Sequence, residues 1–218
     1  MSSGEGSRRP RGRRTDARRN AERIVGAAQK VFATSGVDVS LEEIARHAGV
    51  GVASLYRHFP TKDDLVRAVI EQAFADQVEP ALQHALAGEG DGHAGLVSVI
   101  EAALTMASGH RNALAAVKQP GRIPLDLAPS FFERLAGVLT RAQQQGAVRD
   151  DLRPGDLPRL VAMLISTMWF DDSGEEWRRY LSLLQDALVP GAATPLPPLT
   201  AASRTGLPPV NPFPHLSS

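Results

Sequence analysis

The stretch from Ser40 to Lys62, SLEEIARHAGVGVASLYRHFPTK, constrains the fold of this chain more than any other, because it specifies two short helices with almost nothing between them. Ser40 is placed to cap the first helix, and Glu43 three residues later completes a capping box. Leu41, Ile44, Ala45 and Ala48 then form one apolar stripe at helical spacing. Gly49 predicts a stop, since glycine enters the left-handed region without steric cost, and Val50 gives the turn an apolar foot. In the second helix Leu55 and Phe59 share an inward face. Ser54, Arg57, His58 and the hydroxyl end of Tyr56 point elsewhere, and all are groups suited to phosphate oxygens and base edges.

A longer helix is predicted just upstream. In NAERIVGAAQKVFATSG, residues Ile24, Ala28, Val31 and Phe32 recur at core spacing and Gly36 ends the run, so the pair acquires a supporting helix. Within this head, AGVGVASLYRHFPTKDDL resembles the recognition helix and following helix start of the TetR family of bacterial transcriptional regulators. The resemblance is specific over about the first third of the chain. It implies that Val52, Ala53 and Ser54 meet base edges in the major groove, although Val52 stands where many members carry a polar residue. It further implies that Tyr56, Arg57, His58 and Lys62 hold phosphates, while Ser40 presents the end of the first helix to the DNA backbone. The partners implied are a palindromic double-stranded operator, a second copy of the chain and a small-molecule effector, in a regulator that is most often a repressor.

The 218 residues carry equal numbers of acidic and basic side chains, yet residues 1 to 62 hold 12 Lys and Arg against 6 Asp and Glu, leaving this end at net +6 and the remainder at net −6. A basic end suits a polyanion. The first twenty residues are rich in Ser, Gly and Arg and are expected as a flexible arm. Its Arg8, Arg9, Arg11, Arg13 and Arg14 either enter a minor groove or simply raise nonspecific affinity. The chain has no cysteine, which excludes disulfides, thiolate metal sites and cysteine nucleophiles. No secretory segment or uninterrupted membrane span is evident, so a cytoplasmic protein without membrane contact is expected.

Beyond the head, Thr61 is placed to cap a helix with Asp63 and Asp64 in its first turn, running until Pro80 kinks or restarts it. Apolar residues continue at helical spacing through Leu96, Val99, Ile100, Ala103 and Leu104, and again through Phe131, Leu135, Val138, Leu139 and Ala142, with no alternating strand pattern. The predicted fold class is all-α: an arm over residues 1–20, a helix-turn-helix domain over 21–66, a helical ligand-binding and dimerisation domain over 67–190, and a Pro-rich disordered tail over 191–218.

Asp156 is expected to cap a helix over residues 156–172 that is apolar around most of its circumference. Ser173 and Glu176 fit a second capping box for a helix over 174–189, whose Trp177, Leu181, Leu184 and Leu188 form a seam. These two helices are assigned to a homodimeric four-helix interface, the alternative being that both are simply core of a monomer. By resemblance, Met106, His110, Phe131, Phe132, Met163, Met168 and Trp169 fall on helices that enclose a largely apolar pocket, with His110, Arg111, Lys118 or Arg122 as polar anchors.

Other chemistry finds little support. GVGVAS has no strand before it and lacks the third glycine of a dinucleotide fingerprint. The six histidines do not fall at metal-ligand spacings. Asp171, Asp172, Glu175 and Glu176 are explained by a helix N-terminus. No catalytic residue, metal or cofactor is assigned, and the expectation is a non-enzymatic DNA-binding regulator. Two alternatives remain: a small-molecule-binding or enzymatic helical protein without operator specificity, and a nonspecific DNA-coating protein.

Overall fold

The computed structural model describes residues 11–36, 38–88, 90–116, 127–168, 175–191 and 194–198. Every regular element among them is helical, and no strand occurs. The chain divides into two compact units at Val69 and Ile70.

The first unit is built on α1 (Arg11–Ser35), α2 (Leu41–Ala48), α3 (Val52–His58) and the first turns of α4 (Lys62–Gln77). The expected stripes are buried together: Ile24, Ala28, Val31 and Phe32 from α1, Leu41, Ile44, Ala45 and Ala48 from α2, Leu55 from α3, and Leu65, Val66 and Val69 from α4. Ser40 caps α2 by accepting from the Glu43 N–H at 3.2 Å. Thr61 and Asp64 cap α4 reciprocally, Thr61 Oγ1 accepting from the Asp64 N–H at 3.1 Å and Asp64 Oδ2 accepting from the Thr61 N–H at 3.0 Å. The expectation of an unstructured arm through residue 20 is corrected, since α1 already begins at Arg11. Arginine has good helix propensity, and Arg18 Nε donates to Glu22 Oε1 at 3.0 Å one turn on, so the turns anchored by Ile24 extend backward. Arg8 and Arg9 lie outside the described residues.

The second unit wraps helices around α6 (Gly92–Gly109), which buries Leu96, Val97, Val99, Ile100, Ala103, Leu104, Met106 and Ala107. Against it pack α5 (Glu79–Ala87), α8 (Leu127–Gln144), α9 (Leu157–Thr167) and α10 (Trp177–Leu188), and the short α7 (Arg111–Ala116) follows it. Pro80 sits in the first turn of α5, so the long helix ends at Gln77 and restarts. At Gly92 an added Cβ would lie 2.7 Å from the Ala142 Cα, so only glycine lets the start of α6 approach α8 this closely. Glu79 takes both guanidinium nitrogens of Arg134 at 2.7 and 2.8 Å, joining α5 to α8, and this pairing lowers the carboxyl pKa of Glu79.

Three expectations change here. Asp156 makes no side-chain cap on α9; its carboxylate instead accepts from the Arg153 N–H at 2.8 Å and closes a 3₁₀ turn over Pro154–Asp156. The helices expected over 156–172 and 174–189 span Leu157–Thr167 and Trp177–Leu188, and Ser173 lies outside the described residues. The tail expected to be disordered from residue 191 is held at its start. Arg149 Nη2 donates to the Thr194 carbonyl and Asp151 Oδ2 accepts from the Leu196 N–H, each at 2.8 Å, while Arg149 pairs with Asp151. Prolines leave this segment few N–H groups, so the one acceptor that Asp151 offers to the Leu196 N–H satisfies much of what it has to donate. The Arg149 side chain, and then the Leu196 N–H, hold the Asp151 carboxyl well below the usual carboxylate range.

Gly49 adopts φ +61°, and a Cβ there would also meet Arg23 Nη2 at 2.8 Å. Gly49→Ala is therefore expected to destabilise the protein by about 1–2 kcal/mol. Gly26→Ala in the open middle of α1, where nothing lies within 4 Å of the added carbon, is expected to stabilise it by about 0.5–1 kcal/mol. Urea denaturation of the two variants, giving midpoint shifts of opposite sign, checks both.

Candidate nucleic-acid interface

Seven residues cannot make an independently stable helix in water, so α3 must be held by its neighbours. Its hold is one side chain: Leu55 is fully buried and is the only buried residue of α3. Gly51 in extended backbone starts the helix, and its carbonyl accepts from the N–H groups of Ser54 and Leu55 at 2.8 and 3.1 Å. The expectation that Phe59 shares the inward face is met only in part, because Phe59 is half-buried at the C-cap.

Anchored by Leu55, α3 turns the remaining predicted residues outward. Val52 and Tyr56 are each 42% exposed, Ala53 and Arg57 are exposed, and Ser54 and His58 are half-buried. Lys62, at the start of α4, is half-buried, and Ser40, at the start of α2, is exposed. The small side chains Val52, Ala53 and Ser54 occupy the first turn, where a helix entering a groove meets base edges. The donors Tyr56, Arg57, His58 and Lys62 follow them along the chain, and Ser40 Oγ is engaged in capping.

Two further residues shape this face. Arg23 of α1 reaches across the end of α2, its Nη2 donating to the carbonyls of both Ala48 at 2.7 Å and Gly49 at 3.0 Å. A cation at a helix C-terminus is favoured by unsatisfied carbonyls and by the helix dipole. The available signal was an arginine one residue before the core position Ile24. Glu42 of α2 accepts the Tyr56 hydroxyl proton at 2.7 Å. That bond is the largest cause of both a lowered Glu42 pKa and a raised Tyr56 pKa.

In the second unit, Met106, Phe131 and Met168 are buried in one core cluster, and Phe132 packs against it. Phe131 meets Phe74 edge-on at 5.6 Å and Phe132 at 5.0 Å. His110 caps the end of α6, half-buried, its Nε2 lying 3.4 Å from Gln77 Nε2, and burial lowers its pKa. Arg111 donates to the Met168 carbonyl at 3.3 Å. Met163 does not join this group: it is 56% exposed on α9, on the side away from the core residues Val161 and Leu164. Trp169, Lys118 and Arg122 lie outside the described residues. Of the two readings of the seam, Trp177, Leu181 and Leu188 follow the second, being buried in the core of their own unit with Leu184 packed against it, and they are not the interface residues expected. The apolar groups left exposed on α9 and α10 are Met163, Tyr180 and Leu183. Among the described residues no helix is long and apolar enough to cross a membrane.

Comparison with known proteins bears on both units. The family model described as bacterial regulatory proteins, tetR family, matches residues 24–69. An HTH-type transcriptional regulator of Staphylococcus aureus is 43% identical over 60 residues, which is 27% of this chain and 32% of the relative; the match thus spans about a third of that curated relative's length. Among solved structures, a TetR transcription regulatory protein from Mycobacterium vanbaalenii is 31% identical, with 81% of this chain and 98% of that one covered at a TM-score of 0.57. A TetR transcriptional regulator from Streptomyces coelicolor is 30% identical, with 78% and 98% covered at a TM-score of 0.58.

Because Arg23 makes two charge-assisted contacts to the turn that aims α3, Arg23→Ala is expected to lower stability by about 1 kcal/mol. Arg23→Lys is expected to recover about half of this or more, since both bonds come from the single nitrogen Nη2 and an ammonium also carries several donors on one atom. The check is the urea midpoint of the two variants against the parent protein.

Proposed function

Because the chain belongs to the TetR family of bacterial transcriptional regulators, we propose that it is a cytoplasmic, homodimeric repressor that binds a palindromic operator and leaves it when a small, largely apolar effector binds. The observation that carries this reading is the disposition of α3: one buried leucine inward, and a first turn of Val52, Ala53 and Ser54 followed by Tyr56, Arg57 and His58 outward. In this reading the first-turn residues meet bases, with Val52 and Ala53 against thymine methyls and Ser54 donating or accepting. Tyr56, Arg57, His58, Lys62 and Ser40 hold the flanking phosphates and so set register more than sequence.

Dimerisation is supported by the apolar residues that α9 and α10 leave uncovered. Met163 is 56% exposed, Tyr180 41% and Leu183 61%, and Tyr180 and Leu183 lie three residues apart on one side of α10. Two copies meeting through this face form a four-helix interface that is self-complementary under twofold symmetry. Such a dimer presents its two α3 helices to half-sites about 34–36 Å apart or multiples of that turn.

Effector response is supported by the aromatic and thioether side chains around Phe131, together with the half-buried His110 and its neighbour Gln77. An imidazole kept neutral by partial burial can accept or donate one hydrogen bond to a mainly apolar ligand. The ligand then favours a dimer whose two recognition helices no longer match the half-site spacing, and operator and effector oppose each other by the same factor. No step of this cycle requires catalysis.

Lys62→Ala is expected to weaken binding to specific and unrelated duplexes alike and to reduce the slope of log affinity against log salt by about 1 per head; loss of specific binding alone, in titrations at several salt concentrations, would refute the phosphate assignment. Leu183→Glu is expected to give a monomer in light scattering at micromolar concentration and about 100-fold weaker operator binding, because two linked heads bind far more tightly than one. A dimeric mass for that variant would remove this face from the interface.

A further inference from the structure

Tyr56 carries a single hydroxyl proton, and its hydroxyl donates it in a hydrogen bond to Glu42 Oε1 at 2.7 Å. The phenol oxygen can still accept a hydrogen bond, but it has no second proton to give. A DNA phosphate is an acceptor in the same way as a carboxylate, so the two compete for one donor. They also repel: if both sat within hydrogen-bond distance of the same hydroxyl, the two anions would be no more than about 5.5 Å apart. Glu42 is well suited to hold its side of this competition. Its pKa is lowered first by Tyr56, then by its own backbone N–H, with a smaller contribution from the Ser40 hydroxyl, and these outweigh the opposing effect of desolvation. The carboxylate thus attracts two of the hydroxyls assigned above to the DNA backbone, and Glu42 lies in the first turn of α2 beside that same face.

We propose that Glu42 is an internal stand-in for a backbone phosphate: it occupies the Tyr56 hydroxyl in the free protein and must be displaced from it when DNA docks, so that it restrains affinity. It is a positioning residue acting through Tyr56, and it needs no contact with bases. This proposal rests on the reading of Tyr56 as a phosphate ligand. Its restraint is independent of sequence, because any duplex offers the phosphate that displaces it.

The experiment uses the full chain and two duplexes: one enriched by the wild-type protein from a random-sequence library, and one unrelated. Binding is measured for wild type, Glu42→Ala, Glu42→Gln, Tyr56→Phe and the double variant Glu42→Ala with Tyr56→Phe, each shown by thermal melting to be folded at the assay temperature. Glu42→Ala is expected to bind both duplexes about 5- to 10-fold more tightly, and Glu42→Gln, which keeps a neutral acceptor, by a smaller factor. Tyr56→Phe is expected to bind more weakly, and in that background the gain from Glu42→Ala is expected to shrink to about 2-fold or less. If Glu42→Ala and Tyr56→Phe both weaken binding, the pair is a brace between α2 and α3 and the proposal fails. Equal gains with tyrosine and phenylalanine would reduce Glu42 to a plain surface charge and overturn it as well. Failure of the wild-type protein to enrich any duplex would sink the regulator reading itself, and it would be seen before any variant is compared.

Discussion

The burial of Leu55 is the contact on which the rest of the head depends. A seven-residue helix does not hold its shape alone, and α3 commits only this one side chain to the core. Everything that α3 offers outward is aimed by that anchor and by the turn before it, where Gly49 in the left-handed region closes α2 and Arg23 spans its last carbonyls. The economy has a functional reason. A helix that must enter a groove cannot also bury much of its own surface, so the burial that supports it has to come from α1, α2 and the start of α4.

Much of this head was legible from residue order because its signals are local. The Ser40 cap, the Gly49 stop, the stripe through Leu41, Ile44, Ala45 and Ala48, and the supporting residues of α1 all act within a turn or two of helix, the distance over which periodicity and capping operate. The contacts that residue order does not reveal are those between elements. Tyr56 and Glu42 are fourteen residues apart and Arg23 and Ala48 twenty-five, and nothing in the spacing of either pair predicts that they meet. The same limit explains the second unit. Trp177, Leu181, Leu184 and Leu188 do share one face of α10, but periodicity shows only which residues lie together and is silent on what covers them. They are covered by their own unit, while Tyr180 and Leu183 are left outside. Met163 illustrates a related limit: in an apolar run nearly all the way round a helix, composition does not distinguish the inner side from the outer, and Met163 lies outside.

The two units differ in what their polar groups do. In the second, charged side chains join helices, as Glu79 does with Arg134, or hold the chain that follows α10, as Arg149 and Asp151 do. In the first, polar contacts brace the elements on either side of α3, from Arg23 to the end of α2, from Tyr56 to Glu42 and from Thr61 to Asp64. Under the proposed function their role is geometric, since a recognition helix misplaced by an ångström would lose its base contacts while keeping its charge. Family membership and this local geometry point the same way: the head is a scaffold for one exposed helix.

The central claim is that α3 reads a duplex by sequence. The most direct measurement incubates the purified full-length protein with sheared fragments of the genome that encodes it, at moderate salt and with excess unrelated DNA, and sequences what it retains. The account predicts a small set of fragments sharing an inverted repeat whose halves are centred about 34–36 Å apart, or a multiple of that turn. Retention of fragments in proportion to their abundance, with no shared motif, would contradict it.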